Sequence, residues 1–197
     1  MSAIGPPLTK TLCCRVRPIG AAASMLRAFA IAFLVSTPGL GVVRAAPPQF
    51  DELSLERSGC FGTCPSYTVK VTGDGTVIYE GEEWVKDFGE RRKRLGPARI
   101  AQIRQAIADI DFFKLRDGYE SRRDGCAFVA TDSVLVVLVV KARGVTKTVR
   151  HYHGCGAREG RGPYPRRLTD FEDQIDRILG TNQWIGLEHE RRPHREH

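Results

Sequence analysis

The stretch SYTVKVTGDGTVIYEG, residues 66–81, constrains this chain more than any other segment. Tyr67, Val69 and Val71 share one parity, while Ser66, Thr68, Lys70 and Thr72 share the other. That period of two belongs to a strand with one buried face. Gly73-Asp74-Gly75 supplies the backbone freedom for a tight reversal, and TVIYEG returns as the next strand. A β-hairpin is the firmest expectation the sequence offers.

Further elements extend from it on both sides. DELSLER (51–57) alternates Leu53 and Leu55 with polar residues and reads as a first strand. A weaker strand is predicted over Glu83–Phe88, ahead of the charge run ERRKR (90–94). Gly96-Pro97 marks a helix start. Ile100, Ile103, Ile107 and Ile110 then form one apolar stripe that should end near Phe112 or Phe113. From Val134 to Val140 the chain is apolar on both parities, which predicts a central strand covered on both faces. VTKTVRHYH (145–153) should pair with it antiparallel. A second helix is expected from Arg166 to Leu179, with Leu168, Phe171, Ile175 and Ile178 on one side and Gly180 as its stop. Trp84 and Trp184 read as packing anchors, and residues 188–197 as a disordered tail. The order of strands, helix, strands, helix gives an α+β class: an antiparallel sheet of about five to six strands with two helices packed on it. Residues 46–187 are expected to form this single domain.

The net charge of +7 invites a nucleic-acid reading, but its distribution opposes one. Residues 1–45 contain five basic residues and no acid, leaving 25 basic against 23 acidic residues in the remainder. Polyanion binding thus loses its main support, and no nucleic-acid partner is expected. The leader itself looks like an export signal. Arg27 follows Met25, an apolar run extends from Ala28 to Val35, and Val43-Arg44-Ala45 places small residues where a signal peptidase reads them. Cleavage is expected after Ala45, with Met25 as an alternative start and an uncleaved N-terminal membrane anchor as the rival reading. The expected location is periplasmic or secreted, with membrane contact only through an uncleaved leader.

Export changes the meaning of the cysteines. Cys13 and Cys14 fall in the leader, which leaves Cys60, Cys64, Cys126 and Cys155, an even number in a compartment where disulfides persist. For Cys60 and Cys64 three roles compete. A redox centre would use a Cys-x-x-Cys pair at a helix N-terminus, whereas the spacing here is one residue longer and lies between strands. Zinc would need a second ligand pair, for which Cys126, Cys155, His151 and His153 are candidates. A disulfide needs only the tight bend that Gly59 and Gly62 permit, and it is the favoured role. Cys126 and Cys155 flank the second hairpin and are placed to close its open end. The crossed connectivities stay open.

HYHGC (151–155) carries the most chemistry. His151 and His153 share a strand face, and Asp132 would complete a set of two imidazoles and one carboxylate that suits a metal ion. Register decides this. A two-residue turn at Arg143-Gly144 puts Asp132 on the histidines' face, and a three-residue turn beginning at Ala142 puts it on the other. The longer turn is favoured because it places glycine last, so no metal site is favoured and the histidines are expected to be buried or to brace a loop. RRKR (91–94) reads as a solvated edge. No Gly-x-Ser-x-Gly elbow and no phosphate loop occurs in the chain, so no catalytic residue is assigned and no cofactor is expected. His189, His194 and His197 lie in the tail.

The segment LERSGCFGTCPSYTVKVTGDGTVIYEG (55–81) resembles the opening signature of a bacterial family of exported proteins catalogued as domain of unknown function 6438. The resemblance continues through Phe112-Phe113, Tyr119 and Thr131-Asp132, and spans roughly residues 51 to 185. It implies that Cys60 pairs with Cys64, with Cys126 and Cys155 as an added pair. It implies fold and location and leaves activity open. The expected function is a non-enzymatic binding or structural module of the envelope, stabilised by disulfides. Its partner would be a protein or envelope ligand, met by the loops near Cys60–Cys64 and Gly154–Pro163. The alternative is a metal-binding protein or metal-dependent hydrolase that uses His151 and His153.

Overall fold

A computed structural model describes residues 49–158 and 162–194 of the 197-residue chain. The leader and its expected cleavage point lie outside the described residues. Among those described, no helix is long and apolar enough to cross a membrane.

The hairpin forms where its alternation predicts it. β2 (Ser66–Thr72) and β3 (Thr76–Glu83) pair antiparallel, with Val71 opposite Val77 and Val69 opposite Tyr79. β1 (Glu52–Arg57) pairs with β2 on one side and with β7 (Leu135–Ala142) on the other. Leu53, Leu55, Tyr67, Val69, Val71, Val77, Tyr79, Val136, Leu138 and Val140 are buried on the face that meets the helices. α1 (Pro97–Asp109) contributes Ile100, Ile103 and Ile107 to this layer, and α2 (Arg166–Leu179) contributes Leu168, Phe171, Ile175 and Ile178. Gly180 ends α2 in the left-handed conformation that glycine adopts without steric cost. Trp184, on the short α3 (Asn182–Ile185), stacks on Tyr79 at 4.9 Å and so anchors the chain past α2 to the sheet.

The sheet differs from the expected one in count and in direction. It has seven strands in the order β4-β3-β2-β1-β7-β8-β5, and β5 (Gly118–Tyr119) runs parallel to β8 (Val145–Tyr152), so the sheet is mixed. β6 (Phe128–Val129) and β9 (Cys155–Gly156) form a separate two-stranded piece. β4 is Gly89–Arg94, the charge run itself, and not Glu83–Phe88. The correction has a physical reason: β4 is an edge strand, held to β3 by backbone pairing from Thr76↔Arg94 to Gly81↔Gly89. It needs no apolar alternation, and its arginines protect an edge that would otherwise template association. β7 is also less enclosed than its composition predicts. Val136, Leu138 and Val140 are buried, but Leu135, Val137 and Val139 on the other face are only half-buried.

The second hairpin turns on two residues, not three. Ala142 faces Val145, and Arg143 and Gly144 carry φ of 52° and 76°. That is the turn whose twist matches the flanking strands, and Arg143 accepts a left-handed backbone to make it. Residues 188–194, expected within a disordered tail, form a turn at Glu188–Glu190 and reach the segment after β3, with Arg192 bridged to Val85 and Lys86 paired to Glu190 at 3.2 Å.

One glycine in the first hairpin is held by space. A Cβ on Gly81 would stand 2.2 Å from the carbonyl oxygen of Asp87 and 3.0 Å from the Tyr79 ring. Gly81→Ala is expected to lower stability by about 1–3 kcal/mol, the usual cost of overpacking. Chemical denaturation checks it, and an unchanged midpoint would show that the Trp84–Phe88 loop yields freely.

Candidate functional site

Two arrangements lie at the end of the sheet where β1 finishes and β7 begins. The first is a covalently closed loop. Cys60 is bonded to Cys64, and Ser58 fastens the loop's root to β7: its N–H donates to the Leu135 carbonyl at 3.0 Å, and its hydroxyl accepts from the Leu135 N–H at 2.9 Å. At the tip the Phe61 N–H donates to the Asp132 carbonyl at 3.2 Å, yet the Phe61 side chain is 91% exposed. The second disulfide, Cys126–Cys155, joins the segments that form β6 and β9, and both sulfurs' residues are buried. Phe128 and Val129 on β6 are exposed.

The second arrangement is a buried polar cluster. His151 continues the inward parity of Val149 on β8 and is fully buried; His153 follows on the same side and is half-buried. Facing them from α2 stands Glu172. His151 Nδ1 is 2.6 Å from Glu172 Oε1, and His153 Nε2 is 2.8 Å from Glu172 Oε2. The other His151 nitrogen, Nε2, donates to the Tyr164 carbonyl at 3.2 Å, and the Tyr119 ring meets His151 edge-on. Burial pushes the Glu172 carboxyl up, but hydrogen bonds and charge from His151 and His153 outweigh it and hold the group below its ordinary value.

Arg57 ties this cluster to the sheet. It shares the inward parity of Leu53 and Leu55, and its guanidinium meets Asp176 at 2.9 Å, Asp173 at 3.2 Å and Glu172 at 3.7 Å. Its Nε also donates to the Tyr67 hydroxyl at 3.0 Å, and that hydroxyl donates to Asp176 at 2.8 Å. Burial alone would lower the Arg57 pKa; Tyr67, Asp176 and Glu172 around it raise it further above its usual value. Tyr67 is pushed well above its ordinary range by burial and then by Asp176, so it stays a neutral donor.

Asp132, the carboxylate considered for the histidines, is not with them. The two-residue turn would have favoured it, but the ladder is interrupted before reaching it. His153 donates to Val134 and Ala130 donates to Gly154, so residues 131–133 bulge out of the pairing. Asp132 is exposed with φ 60° and serves through its backbone carbonyl under Phe61. Glu172 takes the position instead. Its signal in the sequence was an acid on the apolar stripe of α2, four residues after Leu168 and three before Ile175, where a carboxylate must find buried partners. Arg57 carried the same kind of signal on β1.

The profile described as Domain of unknown function (DUF6438) matches residues 51–179, more than half of the chain. The chain belongs to this family. The match takes in β1 to α2 of the DUF6438 domain, and with them both disulfides and every residue of the buried cluster. No curated protein matches the chain.

Proposed function

We propose that this DUF6438 protein is an exported, non-enzymatic module of the cell envelope that binds another protein through the disulfide-bound end of its sheet. Phe61 is the observation that carries the reading. Its ring is 91% exposed although its loop is closed by Cys60–Cys64 and pinned to Asp132. A large aromatic side chain presented by a rigid loop loses little freedom when covered, and such residues dominate binding energy at protein interfaces. Phe128 and Val129, 51% and 44% exposed, add apolar surface on the strand that leads into the Asp132 loop. Two disulfides suit an oxidising compartment, and the leader read in residues 1–45 suits export.

A photoactivatable phenylalanine analogue at position 61 of the full chain, expressed in its host, tests the reading. One discrete protein adduct is expected. Excess wild-type domain should compete it away, and a Phe61→Ser domain should compete at least about tenfold less well. The Phe61→Ser domain should melt with the parent, because the ring buries nothing. The same analogue at Val145, exposed at the far end of the β7–β8 hairpin, serves as the control. Equal labelling from both positions, or none from position 61, would contradict the proposal.

A further inference from the structure

We propose that His151, His153 and Glu172 bind one divalent cation of the zinc type. The proposal is independent of the protein-binding reading, since neither Phe61 nor the Cys60–Cys64 loop takes part.

The donor atoms already converge. His151, His153 and Glu172 each offer one ligand atom, all within 4.8 Å of one another. Two nitrogens and a carboxylate oxygen form a set that suits zinc and leaves a coordination position for water. The ring of His151 is oriented as well. Its Nε2 donates to the Tyr164 carbonyl at 3.2 Å, which turns Nδ1 toward Glu172 at 2.6 Å. Metal-binding histidines are oriented in this way, with the distal nitrogen donating to a backbone carbonyl.

Charge points in the same direction. Glu172, Asp173 and Asp176 place three carboxylates around one guanidinium, that of Arg57. The carboxylates thus outnumber the guanidinium by two, a balance that one dication meets. Arg57 does not fill the role itself: it lies at 2.9 Å from Asp176 and 3.2 Å from Asp173, against 3.7 Å from Glu172. Zinc bonds of about 2.0–2.1 Å separate neighbouring ligand atoms by about 3.3 Å. From 2.6 and 2.8 Å, Glu172 has to withdraw by less than an ångström, and the widest ligand-atom separation, up to 4.8 Å, has to close by about 1.5 Å. His153, with 19% of its side chain exposed, gives the trio its side toward solvent.

Calorimetric titration of zinc chloride into metal-free full chain, prepared without a histidine tag, tests the site. One equivalent should bind with Kd at or below about 1 μM. His153→Ala should weaken it by at least about 100-fold, and Glu172→Gln likewise where circular dichroism shows a native fold. Because His153 reaches solvent, its variant carries the test if the buried Glu172 variant fails to fold. His189→Ala/His194→Ala should leave the equivalent in place. Three outcomes would overturn the proposal: binding no tighter than about 100 μM, binding retained in His153→Ala, or binding lost with the tail histidines. Each would leave a proton-bridged cluster with a structural role only.

Discussion

In urea, metal-free Glu172→Leu is expected to unfold with about 3–5 kcal/mol less stability than the parent chain. The leucine fits the space and even adds to the apolar stripe of α2, so packing is not the reason. Removing the carboxylate leaves His151, fully buried, with no acceptor for Nδ1, and it strips His153 of its partner. Arg57 loses the contact that ties it to the histidines, although Asp173 and Asp176 still hold it. Breaking one side of a buried charged pair costs far more than the pair gains against an apolar substitute, because the remaining group stays desolvated and unpaired. The double variant His151→Leu/Glu172→Leu separates the two effects. It should recover a large part of the loss, since both partners then become apolar. A single variant within about 1 kcal/mol of the parent would show that water reaches His151 and that the cluster is not sealed.

The two disulfides should differ in what they do. In the chain-entropy account, the stabilisation grows with the logarithm of the closed loop. Cys126 and Cys155 are 29 residues apart and Cys60 and Cys64 only four. Cys126→Ala/Cys155→Ala is therefore expected to cost about 3–4 kcal/mol, and Cys60→Ser/Cys64→Ser about 2 kcal/mol. Both cysteines of the long bridge are buried, so cavity formation adds to the first figure. The short bridge closes a loop whose main side chain lies in solvent, so its loss should weaken partner capture through Phe61 more than it lowers the melting temperature. Comparable destabilisation by the two pairs would mean that the Cys60–Cys64 loop is part of the folding core. Denaturation of the two double variants under identical non-reducing conditions reads this directly.

Much of the fold is legible in the residues, and the exceptions share a cause. β2, β3, α1 and α2 advertise themselves because each buries one face, so their apolar residues repeat at the element's own period. β4 has no such repeat, because an edge strand is held by backbone pairing and keeps its side chains in water. β5 and β6, two residues each, exist only through their partners and leave no pattern. The turn at Arg143-Gly144 hinged on a left-handed arginine, a conformation that composition does not announce. For the site, His151 and His153 are visible as a pair, and Asp132 is the carboxylate the hairpin register suggests because it shortly precedes the neighbouring strand. The true partner comes from α2, more than a dozen residues further along, and only the misplaced polarity of Glu172 on an apolar stripe hinted at it. A bulge of three residues, which no periodicity encodes, removed Asp132 from the ladder.

The claim beneath all of this is that covalently braced sulfurs hold a body that works outside the cytoplasm. Non-reducing peptide mapping of the protein recovered from its host tests it most directly. The account predicts a chain that begins at Ala46, recovered from the periplasmic or secreted fraction, with Cys60 linked to Cys64 and Cys126 to Cys155. Recovery from the cytoplasm with the leader attached and four alkylatable thiols among those residues would contradict it.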